Sequence, residues 1–583
     1  MKIFILLVVS LFFRLIYLGV VPVSLAHDEI DNIIQSYSLK LTGQDINKSW
    51  YPTRFLPNDG VMAELAPVIN LPALSILPNS IFSTHVTTAI LSSIFPVVLV
   101  LLLLSLGAPP SVSWLSGWLI AISPWHIIFS RTSLEQPTSL FFYTLSWLFL
   151  TKIFALTKKK YAVLINTLLF SFSYSLGFFT YHGYKFALPI LTLIIMVYLF
   201  YENRKSTVLK YLLIPLFVVL GLLLRTYLYQ DHYSSRSSEI ILTQVDKFAK
   251  GVDSDRRISL APSKVDSIYS NKYIALFDTL KSKYLMTISP ELLYTSGEKN
   301  GVFSVGRIGY IYLISLPFVI IGIAYLLYHR KPFHILLLCL FLISPIASVI
   351  HINNTLAFRS GIFFVLLNVI IAYGLFAAYE QAKSKSLMYL VAILFLLGLS
   401  RFVYIYFAIH PIESASAYFF SDRVLGQYLY HNQDKKILVI DSQPRYILSN
   451  LILSKSVVTK TDLNNFNGSY SPSDLDSYNL GNIDIVRSCP KDLGKLYDTV
   501  IITRVLVEGN LDCPAVTSIH KSSKLRDRAI VSPYDSGMEK LIIGDTVCAD
   551  QELGSYINPK RLSDFAISIL DRVQFCKKWI VEQ

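Results

Sequence analysis

The chain has 583 residues, of which 53% are hydrophobic and only 16% charged, with a mean hydropathy of +0.50. A soluble enzyme carries roughly 25% charged residues, so the balance excludes one and points to a polytopic membrane protein. The net charge of +13 does not mark a nucleic-acid binder, because the cations are dispersed among short loops: Lys152 and Lys158-Lys159-Lys160, Arg204 with Lys205 and Lys210, Arg330 with Lys331, Lys383 with Lys385. That distribution is the positive-inside pattern and reports orientation.

Apolar stretches of about 18–22 residues predict roughly eleven membrane helices. They fall near 3–21, 83–106, 111–129, 137–156, 161–180, 184–201, 210–229, 308–328, 333–350, 361–379 and 387–409. Each basic loop then lies on the cytoplasmic side, the N-terminus is inside, and the region after 409 is outside. Ser24-Leu25-Ala26 resembles a leader cleavage site, but Arg14 interrupts the apolar stretch before it and Lys2 is the only earlier cation. The first span therefore reads as an anchor.

Directly after this span comes His27-Asp28-Glu29. Two adjacent carboxylates beside the hydrocarbon are costly, so an acid pair there suggests function. Two outside loops are large, 22–82 and 230–307, and both carry apolar residues at the spacing of short helices lying in the interface plane. Aromatic residues in them (Trp50, Tyr51, Phe55, Tyr269, Tyr273) read as interfacial anchors. Shorter outside turns bring Arg131 with Glu135, His182 with Lys185, and His351 with Arg359 to one membrane depth.

From about residue 410 the composition becomes that of a soluble α/β or α+β module. Lys436–Asp441 and Tyr497–Thr503 read as buried strands, and a helix is predicted near Phe565–Trp579. Cys489, Cys513, Cys548 and Cys576 all fall in this module; an even set outside the membrane suits disulfides, with three connectivities open. No CxxC spacing supports a metal site.

The turns offer carboxylates as bases and cations for a phosphate. Blander readings stand beside these. Arg131 and Glu135 also suit a helix-end salt bridge, and His182 an aromatic belt. Lys185 suits a snorkelling lysine, Arg359 a plain loop charge, and Arg14 a carboxylate partner or cavity lining. For Asp28 the reading as an ordinary solvated acid is the weaker one, given its position and its neighbour.

Taken in order, several stretches resemble the GT-C superfamily of membrane glycosyltransferases, nearest to its protein O-mannosyltransferase and aminoarabinose (lipid A) transferase branch. They are Pro22-Val-Ser-Leu-Ala-His-Asp-Glu29 with Tyr37-Ser-Leu-Lys-Leu-Thr-Gly43, Ser130-Arg131 with Leu134-Glu135, and Tyr181-His182. Tyr284-Leu-Met-Thr-Ile-Ser-Pro290 with Gly297, Arg307 and Gly309 extends the likeness, which covers about residues 1–400. The resemblance implies a GT-C fold, a polyprenyl-phosphate sugar donor and an inverting displacement. It implies that Asp28 of the Asp28-Glu29 pair is the base toward the acceptor, that Glu135 holds the acceptor or orients the site, and that Arg359 lies near the donor phosphate. Where the family often has a Lys-Pro-Pro element, this chain reads Ala63-Glu64-Leu-Ala-Pro67, which leaves the acceptor side and the role of Glu64 open.

The chemistry agrees with these residue types. A lipid phosphate is already a good leaving group, so a carboxylate must take the acceptor proton and cations must hold the departing phosphate. Arginine does the latter bidentately, lysine as a point charge. The expected partners are the membrane, a lipid-linked donor, and a protein, lipid or cell-envelope glycan acceptor, with the metal requirement open. A transporter or flippase of lipid-linked sugars is the rival, but transporters place coupling acids near the midplane, where these spans have almost none.

Overall fold

In the computed structural model, residues 1–583 are described except 49, 51–55, 58–61, 156–159, 204–210, 230–239, 415–416, 442, 467–476, 488–498, 504–527, 532–538 and 544–583. The four C-terminal-module cysteines and the helix predicted near Phe565–Trp579 lie outside the described residues.

Every stretch predicted to span carries helix, but not all at spanning length. Among the described residues six helices are long and apolar enough to cross a membrane: Ile81–Ser105, Glu135–Ala155, Lys160–Thr180, Pro332–Val349, Gly361–Ala382 and Lys385–Ile409. A seventh span arises if Pro110–Ile122 and Pro124–Ser130, bent by 55°, are one element. Other expected spans are shorter: Lys2–Leu15 has 14 residues, and Ala187–Glu202 and Leu213–Leu228 have 16 each. At about 1.5 Å per residue, 16 residues reach roughly 24 Å against a hydrocarbon thickness of about 30 Å. Local chemistry sets these ends. The first helix stops before Tyr17, whose φ of 51° is left-handed. His182–Tyr184 is drawn into a 3-10 turn, and Pro124 breaks the helix at Ser123 because proline has no N–H to donate.

The chain divides into two compact units. The first comprises Met1–Ile16, Phe55–Ala66 and Thr88–Val403. Its innermost helix, Gly361–Ala382, packs against Leu316–His329 and Pro110–Ile122. Small residues allow this close approach: a Cβ on Gly374 would stand 1.9 Å from the Phe318 carbonyl oxygen, and one on Gly322 2.2 Å from that of Ile370. In lipid, where apolar burial between helices gains little, such backbone contact holds helices together.

The second unit comprises Tyr17–Arg54, Pro67–Thr87 and Tyr404–Gln583. Its helix His27–Thr42 ends at Gly43, whose φ of 75° supplies the left-handed cap. A six-stranded sheet runs in the order β2-β3-β1-β4-β5-β6. Its strands are β1 Ile437–Ile440, β2 Ser477–Leu480, β3 Ile483–Val486, β4 Thr499–Thr503, β5 Arg528–Val531 and β6 Glu539–Ile543. β1 is parallel to both β3 and β4, while β2, β5 and β6 pair antiparallel. All four residues of β1 are buried, as a strand central to a parallel set requires. Helices Phe420–His431 and Pro444–Leu453 pack on one another, the latter also against β3 and β2.

Candidate active site

The second unit presents the acid pair on the first turn of the His27–Thr42 helix, where the helix dipole favours negative charge. The two neighbours have opposite environments. Glu29 is fully buried; its Oε2 accepts from the Ala26 N–H at 2.9 Å and its Oε1 lies 3.1 Å from His85 Nε2. Asp28 is exposed. One turn on, Asp31 accepts from the Tyr446 hydroxyl at 3.1 Å and pairs with Arg445, also at 3.1 Å. Burial pushes the Asp31 carboxyl up from its ordinary value, while Arg445 pulls it down. The His27 ring is stacked on both Phe419 and Tyr446, at centroid distances of 3.4 and 3.5 Å, and its Nε2 lies 3.6 Å from Asp422.

The first unit holds the other residues singled out in the sequence. Arg131 is completely buried, and its Nη1 donates to the carbonyls of Phe13 and Arg14, both at 3.0 Å. Arg14 does the same service one step away: Nη1 donates to Ser10 and Ala121 carbonyls, Nη2 to that of Ile120, and its guanidinium meets His126 Nδ1. The carbonyls of Ile120 and Ala121 lie at the bend before Pro124. At membrane depth such groups must find protein donors, and Arg14 supplies them at this break, while Arg131 does so at the end of the first helix. Glu135 is half-buried at the first position of the Glu135–Ala155 helix, and His182, half-buried, opens the 3-10 turn.

Glu64 and Lys185 bond one another. Glu64 Oε2 accepts from Lys185 Nζ at 2.7 Å and Oε1 from Arg225 Nη1 at 3.1 Å, the carboxylate and the lysine being buried. The Phe179 ring backs both cations, 5.9 Å from Lys185 Nζ and 4.9 Å from the Arg225 guanidinium carbon.

Arg359 ends the one-turn helix Leu356–Arg359. Its Nε donates to Thr355 Oγ1 at 3.0 Å and its Nη1 to His351 Nδ1 at 3.1 Å. Around it the turn is held from three sides. Lys283 Nζ donates to the carbonyls of His351 and Ile352 at 2.7 Å and of Asn353 at 3.3 Å. Trp125 Nε1 donates to the Ala357 carbonyl at 3.2 Å, and Glu298 Oε1 accepts from the Ala357 N–H. Burial pushes the Glu298 carboxyl up to about 7, opposed by those backbone bonds and by the Arg359 charge. Burial and the neighbouring Arg359 push the Lys283 ammonium down. Lys283 and Arg359 thus bring two cations to one turn.

Lys283, Glu298, Arg225, His85 and Tyr446 were not singled out in the sequence. Lys283 and Glu298 flank Tyr284–Pro290 and Gly297, where the family likeness is strongest in the large loop, and that position was the available signal. Among the described residues no group of three or more His, Cys, Asp or Glu side chains is placed to hold a metal ion.

No family model and no curated protein matches the chain. Among solved structures it is similar to the oligosaccharyltransferase AglB of Archaeoglobus fulgidus in complex with an inhibitory peptide and a dolichol-phosphate. The TM-score is 0.44 at 13% identity, covering 87% of this chain and 69% of that one. The same archaeal enzyme in complex with zinc and sulfate gives 0.43 at 14% identity over 77% of this chain, which spans 61% of that structure's length. The Saccharomyces cerevisiae protein O-mannosyltransferase Pmt1-Pmt2 complex bound to the sugar donor gives 0.29 at 15%, over 40% of this chain and 33% of that one. Both proteins are sugar transferases by name.

Proposed function

We propose that the protein is a glycosyltransferase that moves a sugar from a polyprenyl-phosphate donor to a protein, lipid or cell-envelope glycan acceptor at the outer face of the cytoplasmic membrane. The N-terminus is cytoplasmic and the module after residue 409 extracytoplasmic, as the basic loops require. The observation that carries the reading is the contrast within the acid pair. Glu29 is committed to Ala26 and His85, which fixes the turn, and Asp28 is left exposed on it. A fixed turn bearing an accessible carboxylate is what general-base catalysis needs.

In this mechanism Asp28 takes the acceptor proton as the acceptor oxygen attacks the anomeric carbon from the face opposite the phosphate, inverting it. The bond to the phosphate oxygen breaks, and its electron pair leaves with the polyprenyl phosphate. Arg359 binds that phosphate bidentately, with Lys283 and His351 holding the turn that carries it and His182 adding a polar contact. Glu135 orients the acceptor. Glu64, Lys185 and Arg131 hold the first unit itself through the contacts described above.

The test uses the purified full-length chain in nanodiscs, a panel of polyprenyl-phosphate sugars and membrane extract as acceptor, with release of free polyprenyl phosphate as readout. Release by wild type that falls at least about 100-fold in Asp28→Asn is expected, in line with the usual weight of a general base. Equal release by the variant sinks the assignment of Asp28.

A further inference from the structure

The C-terminal part of the second unit reaches the acid pair through a contact whose parts look built for one purpose. His27, immediately before Asp28, lies with Phe419 and Tyr446 stacked on it at 3.4 and 3.5 Å with interplanar angles of 14° and 9°. Two near-parallel rings at such distances can only occupy opposite faces, so the imidazole is sandwiched. On one side the backbone itself is bent to the task. Phe419 has a φ of 49°, a left-handed conformation that a bulky side chain adopts only at a cost in backbone strain, and its ring covers His27. Strain of this kind gathers where geometry matters for function.

On the other side Tyr446 and Arg445 begin the helix Pro444–Leu453, which follows β1. β1 is the strand parallel to both its neighbours, and residues beyond the carboxyl ends of parallel strands are the usual place for functional side chains in such sheets. From there the Tyr446 hydroxyl donates to Asp31 Oδ2 at 3.1 Å and Arg445 Nη2 meets Asp31 Oδ1 at 3.1 Å. Further contacts tie the same segments: Arg423 Nη1 donates to the Val23 carbonyl at 2.6 Å, and Asn79 Nδ2 to the carbonyls of Leu453 and Lys455 at 2.8 and 2.9 Å. His27 and Asp31 flank Asp28 on both sides, one residue before it and three after it. Both are gripped, and Asp28 between them stays exposed.

We propose that Phe419, Arg445 and Tyr446 are positioning residues for Asp28, so that the C-terminal module is part of the catalytic apparatus rather than an appended binding domain. This rests on the assignment of Asp28 as base. The clamp fixes the azimuth of the first helical turn, and with it the direction of the Asp28 carboxylate toward the acceptor hydroxyl. It touches neither donor nor phosphate, so its loss acts on turnover and leaves donor saturation unchanged.

The experiment measures kcat and donor KM for polyprenyl phosphate release by the full-length enzyme in nanodiscs. Tyr446→Ala, which removes one face of the sandwich, is expected to lower kcat at least about tenfold with donor KM unchanged within about twofold. Tyr446→Phe keeps the ring and loses only the hydroxyl, and is expected to restore most of kcat. Should Tyr446→Ala fail to fold, Phe419→Leu carries the same expectation. The Asp31→Asn and Arg445→Gln double-mutant cycle, read by thermal unfolding, measures the contact without any activity, and a coupling between the two is expected. An unchanged kcat in a folded Tyr446→Ala, an equal rise in KM, or absent coupling overturns the clamp while leaving Asp28 as base. Normal turnover by Asp28→Asn overturns the underlying reading and the clamp together.

Discussion

Two buried or half-buried sets of cations in the first unit are held by different kinds of partner. Lys185 and Arg225 converge on the single Glu64 carboxylate, which offsets part of their combined charge. Lys283 instead donates to three backbone carbonyls, Arg359 bonds a threonine hydroxyl and a histidine nitrogen, and the acid nearby, Glu298, is pushed toward neutrality by burial. Dipoles can hold a cation in place without cancelling its charge. The lesson is that a positive side chain in an outer turn is read with its partners: Lys185 bonds a carboxylate, whereas Lys283 bonds backbone carbonyls.

The comparison breaks most visibly through Glu64. Glu64→Gln leaves two cations facing one another in a buried site and is expected to destabilise the protein by about 3–5 kcal/mol, seen as a lowered unfolding midpoint in detergent. Replacing the pair together, Glu64→Leu with Lys185→Met, is expected to recover most of that loss. Arg359→Ala should leave the unfolding midpoint nearly unchanged and reduce kcat/KM for donor by roughly 10–100-fold. Arg359→Lys should recover only part, since a point charge does not reproduce the bidentate fork. Lys283→Met loosens the turn without removing the arginine, so a smaller fall of about threefold to tenfold in kcat/KM is expected from positioning alone.

The smallest effect is a pH dependence. Glu298 has its folded-state value raised from 4.5 to about 7 by burial. A carboxyl raised in this way contributes stability that is fully present below its ordinary value and lost as the pH rises through about 7. Glu298→Gln has no proton to lose and keeps an acceptor for the Ala357 N–H. Its unfolding midpoint should therefore fall less than that of wild type between about pH 5 and about pH 8. A wild-type midpoint that rose over this range in step with the variant would contradict the burial of this acid.

Much of the helix layout was legible because apolar runs and their basic punctuation are local signals. Helix occurs at each stretch predicted to span, although only six or seven reach spanning length among the described residues, and the strand read at Lys436–Asp441 is observed as Ile437–Ile440. Length was harder to read. Hydropathy continues through Ser123 and Pro124, yet the helix bends there, and Arg14, which bonds the carbonyls at the bend, lies more than 100 residues away. The same limit governs the sites. Asp28-Glu29 was visible because two acids beside hydrocarbon are costly wherever their partners are, but nothing local told the buried acid from the exposed one. Lys185 finds Glu64 across 121 positions and Tyr446 finds Asp31 across 415. Pairings at that range are made by the fold, and residue type alone leaves a phosphate ligand and a scaffold lysine looking alike.

The measurement that bears most directly on the account is equilibrium binding of a polyprenyl phosphate to wild type, Asp28→Asn and Arg359→Ala in nanodiscs, set beside turnover by the same preparations. A base and a phosphate holder must separate: Asp28→Asn is expected to bind as wild type and fail to turn over, while Arg359→Ala loses binding by at least about tenfold. Wild-type binding by Arg359→Ala, or normal turnover by Asp28→Asn, would contradict the mechanism.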